Sequence, residues 1–291
     1  LHYALAVTFA LFLWWFSTGA VLYIVGLPKR MHGWSMLALS AIALLALFGI
    51  ATSSSDVTTL GAYCAFTCAL AVWAWHEMSF LMGFVTGPRS TPCPPDSKGW
   101  QRFVFASLTL IYHELAILVT VVLVAAITAG TPNQFALWTL LVLWAMRLSA
   151  KFNVFLGVPN LTEEFLPDGL AFLKSYFRKQ PMNLLFPISV TVSTVVAWML
   201  TEQAVSASSG FAIVGFTMLA VLMALAVLEH WFLVLPLPVA DLWRWGLASR
   251  DSESERKPAD HNKRGLVDAR PVQSNAVANE DAPLINFIAG R

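Results

Sequence analysis

Three times in this chain a histidine and a glutamate stand side by side within a long apolar run: His76-Glu77, His113-Glu114 and Glu229-His230. Imidazole can ligate a metal or carry a proton near neutral pH, and a carboxylate can ligate a metal, act as a base or close an ion pair. Ionisable side chains in the apolar core of a membrane span each cost about 3 kcal/mol, so three such pairs mark a candidate site. Arg147 and Lys151, in a further apolar run, join them.

The elements that position these residues follow from composition. With 57% hydrophobic and 12% charged residues, the chain falls in the polytopic membrane class. Crossing about 30 Å of hydrocarbon takes about 20 apolar residues. Seven runs qualify: 3–27, 34–51, 60–85, 103–129, 134–156, 183–201 and 210–235. The expected fold is an all-α membrane helix bundle, because a helix satisfies its own backbone groups where lipid offers no partner. The first run lacks a basic leader and a small-residue cleavage site, so it reads as a retained helix.

Basic residues supply the orientation. Lys29 and Arg30, then Arg89, Lys98 and Arg102, then Lys174, Arg178 and Lys179, then Arg244 and beyond occupy alternate connections. The intervening loops around Ser53–Thr59, Gly130–Asn133 and Thr201–Ser209 contain no Lys or Arg. By the positive-inside rule the N-terminus is outside and the C-terminal tail cytoplasmic. The expected organisation is a bundle over 1–245 with an interfacial amphipathic segment at about 161–180, then a disordered cytoplasmic tail over 246–291. Tryptophans, Trp14 and Trp15 among them, read as interfacial anchors. Cys64 and Cys68, four apart on one span, read as small packing residues. Nucleotide-binding and nucleophile-elbow motifs are absent, and nothing points to nucleic acid.

In this topology the candidate residues share a depth. At 1.5 Å per residue, His76, Glu77, His113 and Glu114 lie about 12–15 Å from the cytoplasmic ends of their spans, Arg147 and Lys151 about 8–14 Å, and Glu229 and His230 about 8–10 Å. Several chemistries suit such a layer. Three imidazoles and three carboxylates could hold iron, manganese or zinc, although di-iron bundles use Glu-x-x-His on one helix face, whereas neighbours point about 100° apart. A neutral histidine could ligate the Mg or Fe of a tetrapyrrole, or His and Glu could relay protons. The simplest arrangement pairs the glutamates with Arg147, Lys151 and the histidines as an ion-pair network that sets helix register.

Five stretches carry a resemblance: WHEMSFLMGFVTGPR (Trp75–Arg89), YHELAIL (Tyr112–Leu118), LWAMRLSAKFNVFLGVPN (Leu143–Asn160), EEFLPDGLAFLKSYF (Glu163–Phe177) and MNLLFPISV (Met182–Val190). Together they resemble the PuhE family of photosynthetic complex assembly proteins of anoxygenic phototrophic bacteria. The resemblance implies a multi-pass protein of the bacterial inner, photosynthetic membrane, serving assembly of the reaction centre with its core light-harvesting complex or supplying bacteriochlorophyll to it. Its implied partners are lipid, reaction-centre and core light-harvesting subunits, or other assembly factors. Its implied cofactor is bacteriochlorophyll or a precursor. The family brings no catalytic residues with it. Two function classes stand side by side: a non-enzymatic assembly or pigment-delivery factor, which is preferred, and an integral-membrane metal-dependent oxidoreductase, di-iron being one option, with a His/Glu site acting on a pigment precursor or lipid.

Overall fold

The computed structural model describes residues 1–161 and 165–249. Among the described residues eight α-helices of ten residues or more follow one another: α1 His2–Val25, α2 Lys29–Ser53, α3 Thr59–Leu81, α4 Gly99–Leu108, α5 Ile111–Ile127, α6 Phe135–Leu156, α7 Leu185–Ser206 and α8 Gly210–Phe232. Among the described residues there is no β-strand, only an isolated bridge between Val158 and Lys179. Among the described residues five helices, α1, α2, α6, α7 and α8, are long and apolar enough to cross a membrane, or six if the bent pair of α4 and α5 is one broken span and not a re-entrant loop. The chain is a multi-pass helical membrane protein whose outer helix faces meet lipid.

Burial separates inner from outer helices. Of its most apolar stretch α8 buries 50% and α7 only 11%, so α7 lies on the outside of α8 and α6. At the centre stands α3, which packs on α1, α2, α5, α6 and α8. Its Ala62, Ala65 and Ala69 are enclosed, so small side chains let neighbouring helices approach closely. Thr58 caps α3 by accepting from the Gly61 backbone N–H at 3.2 Å. Around this axis Phe66, Ile117, Val124, Leu140, Val214, Met218 and Leu219 form the principal apolar core.

The run 103–129, expected as one continuous span, is broken. α4 and α5 meet at a bend of 64° around Thr109 and Leu110. A kink frees backbone groups that must find partners away from water. The segment from Thr86 to Arg89 supplies them: Arg89 N–H donates to Leu108 O at 3.1 Å, and His113 N–H donates to Thr86 O at 3.0 Å. A Cβ on Gly87 would sit 2.2 Å from Leu108 O, so only glycine permits this approach.

Below the bundle the connections form a packed layer. Asp168–Tyr176, within the segment expected to be amphipathic, is a 3-10 helix whose Leu170 and Leu173 close on Phe80. Arg102 donates to Phe155 O and Tyr176 O and lies over the Phe155 ring. The described C-terminal residues strap onto α1: Trp15 Nε1 donates to Leu242 O and Trp243 Nε1 to Trp15 O, each at 2.9 Å. Residues 246–249, placed in the tail by composition, continue this strap as helix. The remainder of the expected tail lies outside the described residues, as do Glu163 and Glu164.

Candidate functional site

The His-Glu pairs sit on α3, α5 and α8, with Arg147 and Lys151 on α6. Because successive helical residues diverge by about 100°, the members of each pair find different partners. The glutamates go to cations and indoles. Arg147 Nη2 donates to Glu77 Oε2 at 2.8 Å, and Lys151 Nζ to Glu114 Oε1 at 2.7 Å. Trp144 Nε1 donates to Glu114 Oε2 and Trp14 Nε1 to Glu229 Oε1, both at 2.9 Å. Glu114 also lies in the first turn of α5, just past the bend, where the helix dipole favours a carboxylate.

The histidines turn to other surroundings. His76 is 2% exposed, with Nε2 3.0 Å from Thr120 Oγ1 and Nδ1 without a partner. Its ring centroid is 6.3 Å from that of His113, which packs at 4.7 Å on Phe80. His113 is enclosed, and among the described residues neither of its ring nitrogens has a hydrogen-bond partner. A buried imidazole in that condition forgoes about 1–3 kcal/mol for each unsatisfied atom. His230 is also enclosed but fully engaged: Nδ1 donates to Ala226 O at 2.8 Å, and Nε2 is 2.9 Å from Ser149 Oγ. Ser149, Ser189 and Asn153 continue that group toward α7, with Ser149 Oγ 2.9 Å from Ser189 Oγ and Asn153 Nδ2 donating to Ser189 Oγ at 3.1 Å.

The fold thus gathers His76, Glu77, His113, Glu114, Arg147 and Lys151 where α3, α5 and α6 meet. Glu229 faces Arg147 from α8, within its electrostatic reach. His230 points away from that group, into the α6–α7 contact. Trp14 lies midway along α1 and serves as a hydrogen-bond donor inside the bundle, where an anchor at the membrane surface had been expected. Trp144, Thr120, Ser149, Ser189 and Asn153 complete the surroundings. A signal for Ser149 and Asn153 existed, since both are polar residues beside Arg147 and Lys151 in an apolar run. Nothing in the sequence pairs Trp14 with a residue more than two hundred positions away.

Chemically, the centre is an ion-pair network. Among the described residues no three His, Cys, Asp or Glu side chains come together as a metal site. Arg147 and Lys151 occupy carboxylate oxygens that a metal would need.

The fold and site define a class: a multi-pass helical membrane protein with a charged layer enclosed in its bundle. The chain belongs to the family described as protein of unknown function DUF3623, whose model matches residues 1–254. It is 41% identical over 249 residues to the uncharacterized 30.4 kDa protein in the puhA 5′ region of Rhodobacter capsulatus, a match covering 84% of this chain and 91% of that protein. No solved structure matches the chain.

Proposed function

We propose that this protein serves assembly of the photosynthetic reaction centre with its core light-harvesting complex in the bacterial inner membrane, by handling bacteriochlorophyll or a precursor. The observation that carries the reading is the 41% identical relative in the puhA 5′ region of Rhodobacter capsulatus. It agrees with the resemblance in the five stretches, and the family match spans nearly the whole bundle. A charged layer within a membrane bundle also supports a functional site, because ionisable groups there are costly to keep.

Within this reading the histidines differ in fitness for a pigment. An axial ligand to a chlorin Mg needs a ring nitrogen with a free lone pair. Both nitrogens of His230 are held, whereas His113 has two without partners and His76 has one. His113 and His76 are therefore the residues that would hold such a group, and the Mg would supply a single axial coordination position. Here α3 is a seventh span, shielded from lipid by its neighbours, with the N-terminus outside and the tail cytoplasmic. Reporter fusions in the 54–58 and 90–98 connections test that topology, and equal signals from both would overturn it.

The decisive experiment replaces the gene in its phototrophic host with His113→Ala or His76→Ala variants and records membrane near-infrared absorbance. The expected outcome is loss of core-complex absorbance with unchanged amounts of the variant protein. Wild-type pigment and complex levels in both variants would refute the proposed handling.

A further inference from the structure

Arg147 and Glu229 combine two properties rarely found together. On α6 the residues Trp138, Leu141, Ala145, Phe152 and Leu156 are exposed along one side, which is the lipid face. At 100° per residue Arg147 lies about 150° around the helix from that face, yet its side chain is 42% exposed. On α8 the outward residues are Ala224, Leu228 and Trp231. Glu229 lies about 130° away from them, between the buried Leu222 and Leu225 directions, and it too is exposed. Inward-pointing side chains that keep accessible surface leave a gap between the helices beside them. Their partners bound it: Glu77 on α3 and Trp14 on α1.

The lining has an unbalanced inventory. Three carboxylates face two basic side chains, Arg147 and Lys151, in this layer. Arg147 takes Glu77, Lys151 takes Glu114, and Glu229, in electrostatic reach of Arg147, has among the described residues the Trp14 indole as its one hydrogen-bond donor. Arg147, for its part, donates through Nη2 to Glu77 and turns an accessible guanidinium, a five-donor group, toward the space. A guest that satisfies both walls carries N–H donors and positive charge for Glu229, next to an oxygen acceptor for Arg147.

We propose that the chamber between α1, α3, α6 and α8 binds a primary ammonium group that has an anionic or carbonyl oxygen beside it, with Glu229 accepting from the ammonium and Arg147 holding the oxygen. An aminoethyl phosphodiester lipid headgroup has this chemistry, and so does a free amino compound such as phosphoethanolamine. A quaternary ammonium has the charge without the N–H donors and fits poorly. The inference rests on the charged layer being a functional site and needs neither pigment nor photosynthetic partner, so the assembly role and the ammonium site can fail separately.

The test uses the full chain in detergent, stripped of lipid and titrated with phosphatidylethanolamine, phosphatidylcholine and phosphatidylglycerol of identical acyl chains, with binding read by native mass spectrometry. Ethanolamine lipid is expected to bind about tenfold tighter than choline lipid, the scale of one charge-assisted hydrogen bond. Glu229→Gln is expected to erase the preference while circular dichroism confirms its fold. Competition by millimolar phosphoethanolamine identifies the source as a free amine, and its absence identifies a lipid. Equal binding of ethanolamine and choline lipids by the wild type overturns the proposal without any variant. So does a protonated-carboxyl infrared band that Glu229→Gln removes, because a proton would then neutralise Glu229.

Discussion

The Glu114–Lys151 pair offers the sharpest test of how the bundle holds its charges. Lys151 Nζ is 2.7 Å from Glu114 Oε1, and the two side chains keep 21% and 14% of their surface. At an effective dielectric of about 20, unit charges about 4 Å apart attract by about 4 kcal/mol. Removing one partner of a buried pair costs about 3–5 kcal/mol, because the other charge is left in a poor solvent. Residual exposure of Lys151 favours the lower end, so Glu114→Gln and Lys151→Met should each cost about 3 kcal/mol. Glutamine keeps an acceptor for the Trp144 indole, and methionine keeps a stem near the Phe80 ring, over which Lys151 Nζ sits at 5.5 Å. The double variant strands no charge and should cost well below either single change, giving a coupling of more than about 3 kcal/mol. Unfolding in dodecyl maltoside by added SDS, followed by far-UV circular dichroism, measures this as a shift of roughly 150-fold in the folding equilibrium for each single variant. Single costs below about 1 kcal/mol that simply add would refute the reasoning, since the pair would then behave as an exposed, water-screened one.

Three further outcomes use the same unfolding assay. Gly215→Ala on α8 places a Cβ 2.0 Å from the Phe135 ring, which is itself packed among Trp138, Phe211 and Phe216, so overpacking should cost about 1–3 kcal/mol. Asn133→Ala removes an amide that donates to Ser53 O, Asp56 O and Gly61 O, stitching the α2–α3 turn to the start of α6; the expected loss is about 2–3 kcal/mol, with faster exchange of the Phe135 amide. Asp56 in that turn is held below the usual carboxylate range by its hydrogen bonds with Thr58 side chain and backbone. Its contribution is present above the ordinary aspartate range and lost as pH falls through the lowered value, so Asp56→Asn should flatten the acid limb of the stability profile.

How far the sequence carries is visible in individual residues. Span positions follow from length and apolarity, so α1, α2, α6, α7 and α8 were legible at once. The depth argument also gathered Glu77, Arg147, Glu114 and Lys151, because membrane thickness and helical rise convert sequence position into height. It left azimuth undetermined: whether His230 turns toward Glu229's chamber or toward Ser149 depends on which neighbour packs where. The bend at Thr109–Leu110 had no proline to announce it. It exists because the Thr86–Arg89 segment, on the far side of the α3–α4 connection, supplies the missing backbone partners, with Gly87 making room.

The central helix exposes why apolarity and function diverge. A hydropathy scan measures what a helix shows to lipid, and α3 shows lipid little, being packed on by α1, α2, α5, α6 and α8. Its composition is thereby released from the apolar requirement, and it is absent from the helices that qualify as spans by length and hydropathy. That release is what allows His76 and Glu77 to sit there. Glu77 can be tolerated because α6 delivers Arg147 to it, and Arg147 because it keeps 42% of its side-chain surface accessible, in the chamber proposed above. A change that closes the chamber, such as a bulkier residue at Ala226 beside Glu229, should therefore raise the cost of the Arg147–Glu77 pair and destabilise the bundle. The same change in a variant with Arg147→Met and Glu77→Gln should be tolerated, and equal destabilisation in both backgrounds would sever this link between chamber and charge.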